Sequence, residues 1–173
     1  MGQGLNSVSQ ARPLYTPEER RRRDSSAWTL VQGILAPLQF VVFLISLALV
    51  VRFLWNGQGA DAAIASVIIK TLVLYAIMIT GSIWEKVVFG KYLFAKAFFW
   101  EDVVSMLVLA LHTAYLAAWI FNWGDTRFQM IIALAAYASY VINAGQFLLK
   151  LRMARLSAPN ASHSEFDNAE PAR

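Results

Sequence analysis

Long apolar runs dominate the pattern along this chain, and four of them reach membrane-spanning length: roughly Trp28–Trp55, Ala62–Trp84, Phe98–Phe121 and Phe128–Leu149. A helix needs about 20 residues to cross a hydrocarbon core of about 30 Å, and each run supplies them. The runs are not uniformly apolar. Gln32, Gln39 and Ser46 recur every seven residues in the first, and so share a helical face. The second carries Thr71, Tyr75, Met78, Ser82 and Glu85 at i, i+4, i+7, i+11 and i+14, a single inward stripe. Glu101, Ser105 and His112 lie on one face of the third, and Ser139, Asn143, Gln146 and Lys150 form the matching stripe of the fourth. Four helices with polar stripes bury them against one another. The pattern therefore predicts an all-α membrane protein, with four transmembrane helices in an up-down bundle and a polar pocket toward one leaflet. No internal repeat marks it as half of a duplicated transporter.

Charge fixes the expected orientation. Arg12 and Arg20–Arg23 precede the first run, Lys86, Lys91 and Lys96 lie between the second and third, and Lys150, Arg152 and Arg155 follow the fourth. The alternate loops and their flanks hold only Arg52 and Arg127. Eleven basic residues against two is the positive-inside pattern, and it places the N and C termini in the cytoplasm. The net charge of +4 is thereby a topology and lipid-headgroup signal, and nucleic acid is not an expected partner. Of the 173 residues, 58% are hydrophobic, too many for a soluble domain of this size to hide. There is no cysteine, which removes disulfides, zinc thiolates and thiol nucleophiles. No cleavable signal peptide is visible, because a charged segment precedes the first apolar run.

The expected domains are a cytoplasmic N-terminal segment over 1–26, a four-helix membrane domain over 27–151 and a polar tail over 152–173. Residues 1–12 read as mobile. Thr16-Pro17-Glu18-Glu19 reads as the start of a short basic surface helix, with Thr16 as N-cap and Glu19 closing a capping box. Pro37 frees the carbonyl of Gly33, for which Gln32 or Gln39 is the expected donor. Asn56-Gly57-Gln58-Gly59 is a tight outer turn. Lys70 lies some eight residues from the outer end, about 12 Å deep, either snorkelling outward or paired with an acid or a ligand carboxylate. From Leu156 onward the chain reads as a disordered tail, in which His163 has no helical context.

The chemistry concentrates between residues 84 and 102. Aromatics and lysines alternate there as an interfacial belt, and three carboxylates, Glu85, Glu101 and Asp102, sit at one depth within it. Inward Glu-x-x-His pairs, a glycine-rich phosphate loop, a dinucleotide fingerprint and a nucleophile elbow are all missing. Acid–base chemistry or ligand binding remains. A carboxyl group in a poorly hydrated pocket can donate a proton near neutral pH, and Glu101 and Glu85 suit that role best. His112 is read either as a helix-to-helix hydrogen bonder or as an axial ligand to a tetrapyrrole metal.

Several segments resemble a known family. They include Arg12-Pro13-Leu14-Tyr15-Thr16-Pro17-Glu18, Thr80-Gly81-Ser82-Ile83-Trp84-Glu85-Lys86, Phe98-Phe99-Trp100-Glu101-Asp102, His112-Thr113-Ala114-Tyr115 and Tyr140-Val141-Ile142-Asn143-Ala144-Gly145-Gln146-Phe147. Together they resemble the 3-vinyl bacteriochlorophyllide hydratase (chlorophyllide a 3¹-hydratase) family of bacteriochlorophyll biosynthesis, over about residues 12–155. The resemblance implies addition of water to the C3 vinyl group of a magnesium chlorin, giving a 3-(1-hydroxyethyl) side chain. It also implies a chlorophyllide or bacteriochlorophyllide substrate, a bacterial inner or intracytoplasmic membrane, other enzymes of the pathway as partners, and no protein metal or cofactor.

The resemblance brings no catalytic residues with it, so roles rest on side-chain chemistry. Glu101 is the expected acid, with Glu85 or Asp102 orienting water. Tyr75, Ser82, Ser105, Asn143 and Gln146 are expected to line the pocket, with His112 on the substrate magnesium. Lys86, Lys91 or Lys150 would meet the chlorin's propionate. The competing reading is a non-enzymic membrane tetrapyrrole carrier or assembly factor, against which three acids beside an apolar macrocycle argue. A proton-coupled transporter is a third, disfavoured by acids at one end only.

Overall fold

The computed structural model describes residues 14–167, and side chains from 14 to 153. The polar stretch 1–12 lies outside the described residues. Five helices follow in order: α1 (Pro17–Ser25), α2 (Ala27–Asn56), α3 (Ala60–Phe89), α4 (Phe99–Ile120) and α5 (Thr126–Asp167). The capping box forms as its residues require. Glu19 N–H donates to Thr16 Oγ1 at 3.2 Å, and Thr16 N–H donates back to Glu19 Oε2 at 2.8 Å.

Ala27–Asn56, Ala60–Phe89, Phe99–Ile120 and Thr126–Met153 are each long and apolar enough to cross a membrane. Their mean hydropathy falls from 2.7 to 1.5 along the chain, so the last span carries the densest polar content. Outward positions such as Ile34, Ile45, Leu72, Ile79 and Ile142 are exposed, as suits side chains facing lipid. The turn after α2 runs through two glycines in the left-handed region, Gly57 (φ 72°) and Gly59 (φ 79°), and Gly90 (φ 80°) ends α3 the same way.

Helix packing follows the polar stripes. α2 packs mainly on α3 and α4 mainly on α5, while the two pairs meet along α2–α5 and, more thinly, along α3–α4. Gln32 Nε2 donates to Thr80 Oγ1 at 2.8 Å between α2 and α3, and a Cβ at Gly81 would sit 3.6 Å from the same glutamine. Ser46 bridges three helices, 2.7 Å from Ser66 and 2.6 Å from Tyr137. Phe43, Tyr137 and Tyr140 close the α2–α5 contact, with ring centroids 4.9–5.4 Å apart.

Three expectations change. Gln32 turns to Thr80 and Gln39 has no hydrogen-bond partner, so neither answers the Gly33 carbonyl that Pro37 frees. Lys70 does not snorkel: it is fully buried, with Nζ 4.1 Å above the Tyr140 ring. Aromatic faces on α5 offer the ammonium a nearer site than the interface. Finally, α5 runs on to Asp167 through His163, so no helix end marks the boundary placed at 151. The run Lys150-Leu151-Arg152-Met153-Ala154-Arg155-Leu156 consists of strong helix formers and gives the helix no reason to stop.

One contact ties the surface helix to the bundle. Trp84 Nε1–H donates to Thr29 Oγ1 at 2.9 Å, and that hydroxyl donates to the Arg23 carbonyl at 2.6 Å. Thr29→Val removes both, leaving the Trp84 indole N–H unanswered at a cost of about 1–3 kcal/mol, while the Arg23 carbonyl keeps the Ser26 N–H at 3.3 Å. Thermal unfolding in detergent should show a lowered midpoint for Thr29→Val and a near-parental one for Thr29→Ser.

Candidate functional site

The acidic layer is assembled from the two ends that flank the α3–α4 loop. Glu85 lies one turn before the end of α3, while Glu101 and Asp102 lie in the first turn of α4, where carboxylates are favoured by the helix dipole. All three are buried, at 6%, 7% and 4% exposure. A buried carboxylate must find donors, and each finds a different one. Glu101 Oε2 pairs with Lys150 Nζ of α5 at 2.6 Å. Asp102 Oδ2 accepts from Phe94 N–H at 2.7 Å, and Glu85 Oε2 accepts from Ala95 N–H at 3.3 Å. The carboxyl groups of Glu85 and Asp102 also lie side by side.

Two acids from two helices thus grip consecutive backbone amides of one loop. Phe94 is held with φ at 59°, a left-handed conformation that a phenylalanine adopts only at a cost. Asp102 offsets that strain with a charge-assisted bond. Beneath the loop lies an aromatic floor. Phe98 stacks on Phe147 (5.9 Å), meets Trp84 edge-on (5.7 Å), and carries Lys150 Nζ 4.9 Å above its ring. Tyr15, with Arg23 stacked 4.6 Å from its ring centroid, stacks on Phe89 at the rim. Burial pushes its phenol above the ordinary tyrosine pKa, partly offset by a hydrogen bond from Arg23.

Within this layer each acid is committed to a different donor. A surface depression of about 470 Å³ lies elsewhere, on α1, lined by Pro17, Arg20, Arg21, Asp24 and Ser25. Of the expected lining residues, Ser105 and Asn143 are brought together, with Asn143 Nδ2 donating to Ser105 Oγ at 2.7 Å. Gln146 is half-buried one turn further toward Lys150, its Oε1 unpartnered. Tyr75 and Ser82 stand apart from the acids. The Tyr75 hydroxyl meets Thr113 Oγ1 at 2.8 Å across the α3–α4 seam, and Ser82 Oγ donates to Ile79 of its own helix. Lys86 caps α3, donating to the Gly90 carbonyl at 3.1 Å.

His112 is fully buried in the middle of the bundle, ten residues up α4 from Asp102. Its Nδ1 lies 2.8 Å from the Val108 carbonyl, which can only accept, so the proton sits on Nδ1 and Nε2 keeps a bare lone pair. A bare Nε2 is the form a metal ligand requires. Among the described residues, no group of three or more histidine or carboxylate side chains is placed to hold a metal ion.

Two features escaped the helical-face reading. The Glu101–Lys150 pair joins residues 49 apart, although both stand at the same end of their spans with opposite charge, a usable signal. The loop amides at Phe94 and Ala95 had none, because backbone donors leave no trace in residue type.

The family model described as 2-vinyl bacteriochlorophyllide hydratase matches residues 15–153. Two curated relatives carry that same name. One, from Rhodobacter capsulatus, is 69% identical over 145 residues, covering 84% of this chain and 84% of the relative. The other, from Cereibacter sphaeroides, is also 69% identical over 145 residues, covering 84% of this chain and 90% of its own length. No solved structure matches the chain. With a family model spanning every membrane helix and relatives at this identity, the chain belongs to the 2-vinyl bacteriochlorophyllide hydratase family.

Proposed function

We propose that this protein is a membrane hydratase that adds water across the vinyl group of a chlorophyllide or bacteriochlorophyllide in bacteriochlorophyll biosynthesis. The vinyl position is numbered 2 in the family description and C3 in the ring numbering used above. The 69% identity to relatives named for this reaction supports the reading most directly. The acidic layer supplies a chemistry for it. A carboxylic acid protonates the terminal vinyl carbon, leaving a cation at the inner carbon that the conjugated macrocycle delocalises. Water attacks that carbon, and its surplus proton returns to the carboxylate, so the product gains one hydroxyl and the acid is restored.

Geometry favours the Glu85–Asp102 pair as the donor over Glu101. Glu101 is already paired with an ammonium at 2.6 Å, whereas Glu85 and Asp102 adjoin one another and each accepts one backbone amide. Glu101 and Lys150 then act on the water or on the substrate's own carboxylate. Asn143, Ser105 and Gln146 line the approach, Tyr75 and Ser82 flank the α3–α4 seam, and His112 Nε2 is the candidate for the substrate magnesium. Lys86 stands at the interface for a propionate.

The same reading places both termini in the cytoplasm, the four spans alternately up and down, and the acids at the cytoplasmic leaflet of a bacterial inner or intracytoplasmic membrane. Other enzymes of the pathway are its natural neighbours there.

Glutamine and asparagine keep the acceptor oxygens that meet Ala95 and Phe94, so Glu85→Gln and Asp102→Asn remove the acid while keeping a weaker hydrogen bond to the loop. Membranes bearing either variant, given chlorophyllide a, should lose at least about 100-fold in gain of one water by mass, the upper range being set by loss of general acid catalysis. Pigment binding should persist. Glu101→Gln should cost less. The reverse ranking restores Glu101 as donor, and a bound but unchanged pigment with the parent protein supports a carrier.

Because the chain has no cysteine, single cysteines report topology without background. In intact spheroplasts a membrane-impermeant maleimide should label Gln58→Cys and spare Lys91→Cys, which should react only in inside-out vesicles. The opposite pattern overturns the orientation.

A further inference from the structure

Above the acidic layer, in the middle of the bundle, lies a second set of polar groups, of which the proposed chemistry calls on His112 and Asn143 alone. Lys70 Nζ, His112 Nε2, Tyr115 Oη, both amide atoms of Gln39, and Asn143 Oδ1 are all buried and have no hydrogen-bond partner. They gather around the Tyr137 and Tyr140 rings, with Tyr115 one turn from His112 on α4. Lys70 Nζ is 4.1 Å above the Tyr140 ring and 5.8 Å from that of Tyr137, and the His112 ring is 5.8 Å from Tyr137. Asn143 is one turn below Tyr140 on α5. Gln39 is one turn from Phe43, which packs on Tyr140 at 4.9 Å.

Unanswered groups in hydrocarbon cost several kcal/mol each, so a set of them in one place implies a ligand. Its chemistry follows from the mix. Lys70 and the Gln39 amide nitrogen donate only, whereas His112 Nε2, Asn143 Oδ1 and Gln39 Oε1 accept only. An anion would satisfy the lysine and repel the three acceptors. A cation would do the reverse beside an ammonium. Water both donates and accepts, and it binds where two to four polar partners converge.

We propose that Lys70, His112, Gln39, Tyr115 and Asn143 line an internal water site, and that Gln146 extends it as a file toward Glu101 and Lys150. Tyr140, Asn143 and Gln146 follow one another at three-residue intervals on α5. The rise is about 4.5 Å per step, within reach of one bridging water making two bonds of about 2.8 Å. On the hydratase reading above, on which this part of the proposal rests, the file delivers the second reactant. An apolar macrocycle sealed among helices excludes bulk solvent, and the water to be added reaches it from within.

X-ray radiolysis in ¹⁸O water tests the site, because hydroxyl radicals formed from bound water oxidise the side chains beside it. The full-length protein in nanodiscs should incorporate label at Tyr115 and Tyr140 several times faster than at Tyr15, a buried tyrosine outside the site. Labelling of all three at the same low rate overturns the water site. Lys70→Met should abolish the Tyr140 labelling and lower the hydration rate by about tenfold, while pigment affinity stays near parental, the split expected when a co-substrate path is cut. Labelling lost with turnover unchanged overturns delivery and leaves the hydratase reading intact. A parent protein that labels as expected yet never hydrates the pigment overturns that reading and leaves the site.

Discussion

A polar group inside a bilayer has nowhere to go but toward another polar group, and this bundle is organised by that demand. Apolar contacts alone do not select a helix arrangement in lipid, since a leucine is as well solvated by an acyl chain as by a neighbour. The selective contacts are few and specific: Gln32 to Thr80, Ser46 to both Ser66 and Tyr137, Asn143 to Ser105, and Glu101 to Lys150. Each joins different helices, and between them they tie α2 to α3, α2 to α5, and α4 to α5. The α3–α4 seam has the Tyr75–Thr113 bond and, at its acidic end, the adjoining carboxyl groups of Glu85 and Asp102.

The acidic layer obeys the same rule with charges. Three carboxylates in one layer would repel one another and be stripped of water, a cost that Coulomb attraction to a single lysine does not cover. The structure distributes them: one to Lys150, one to the Phe94 amide, one to the Ala95 amide. The loop between α3 and α4 is in consequence part of the site, since its backbone supplies donors that side chains do not.

Much of this is legible in the chain. The four spans, the capping box at Thr16 and the buried stripe Glu101–Ser105–His112 follow from helical periodicity and hold. Of the expected α3 stripe, Thr71 and Glu85 are buried and Tyr75, Met78 and Ser82 are half-buried, while Ser66, Lys70 and Leu74 join the inward face. Periodicity gives a face but not its azimuth, because a helix flanked by two partners buries a wider arc than one polar stripe marks. The place of Lys70 escapes the sequence because depth alone cannot weigh an interface against a pair of tyrosine rings. The amide grip on the loop is illegible in principle, as it depends on φ at Phe94 and not on its side chain.

That grip has a thermodynamic corollary. An ionised carboxylate accepts an amide hydrogen bond more strongly than a neutral carboxyl does, so the order of residues 91–98 and the proton occupancy of Asp102 are two faces of one equilibrium. Whatever neutralises the acid loosens the turn by the same free energy, and whatever stiffens the turn disfavours protonation equally. Segmental motion in this short connection therefore serves as a gauge of the charge state beneath it.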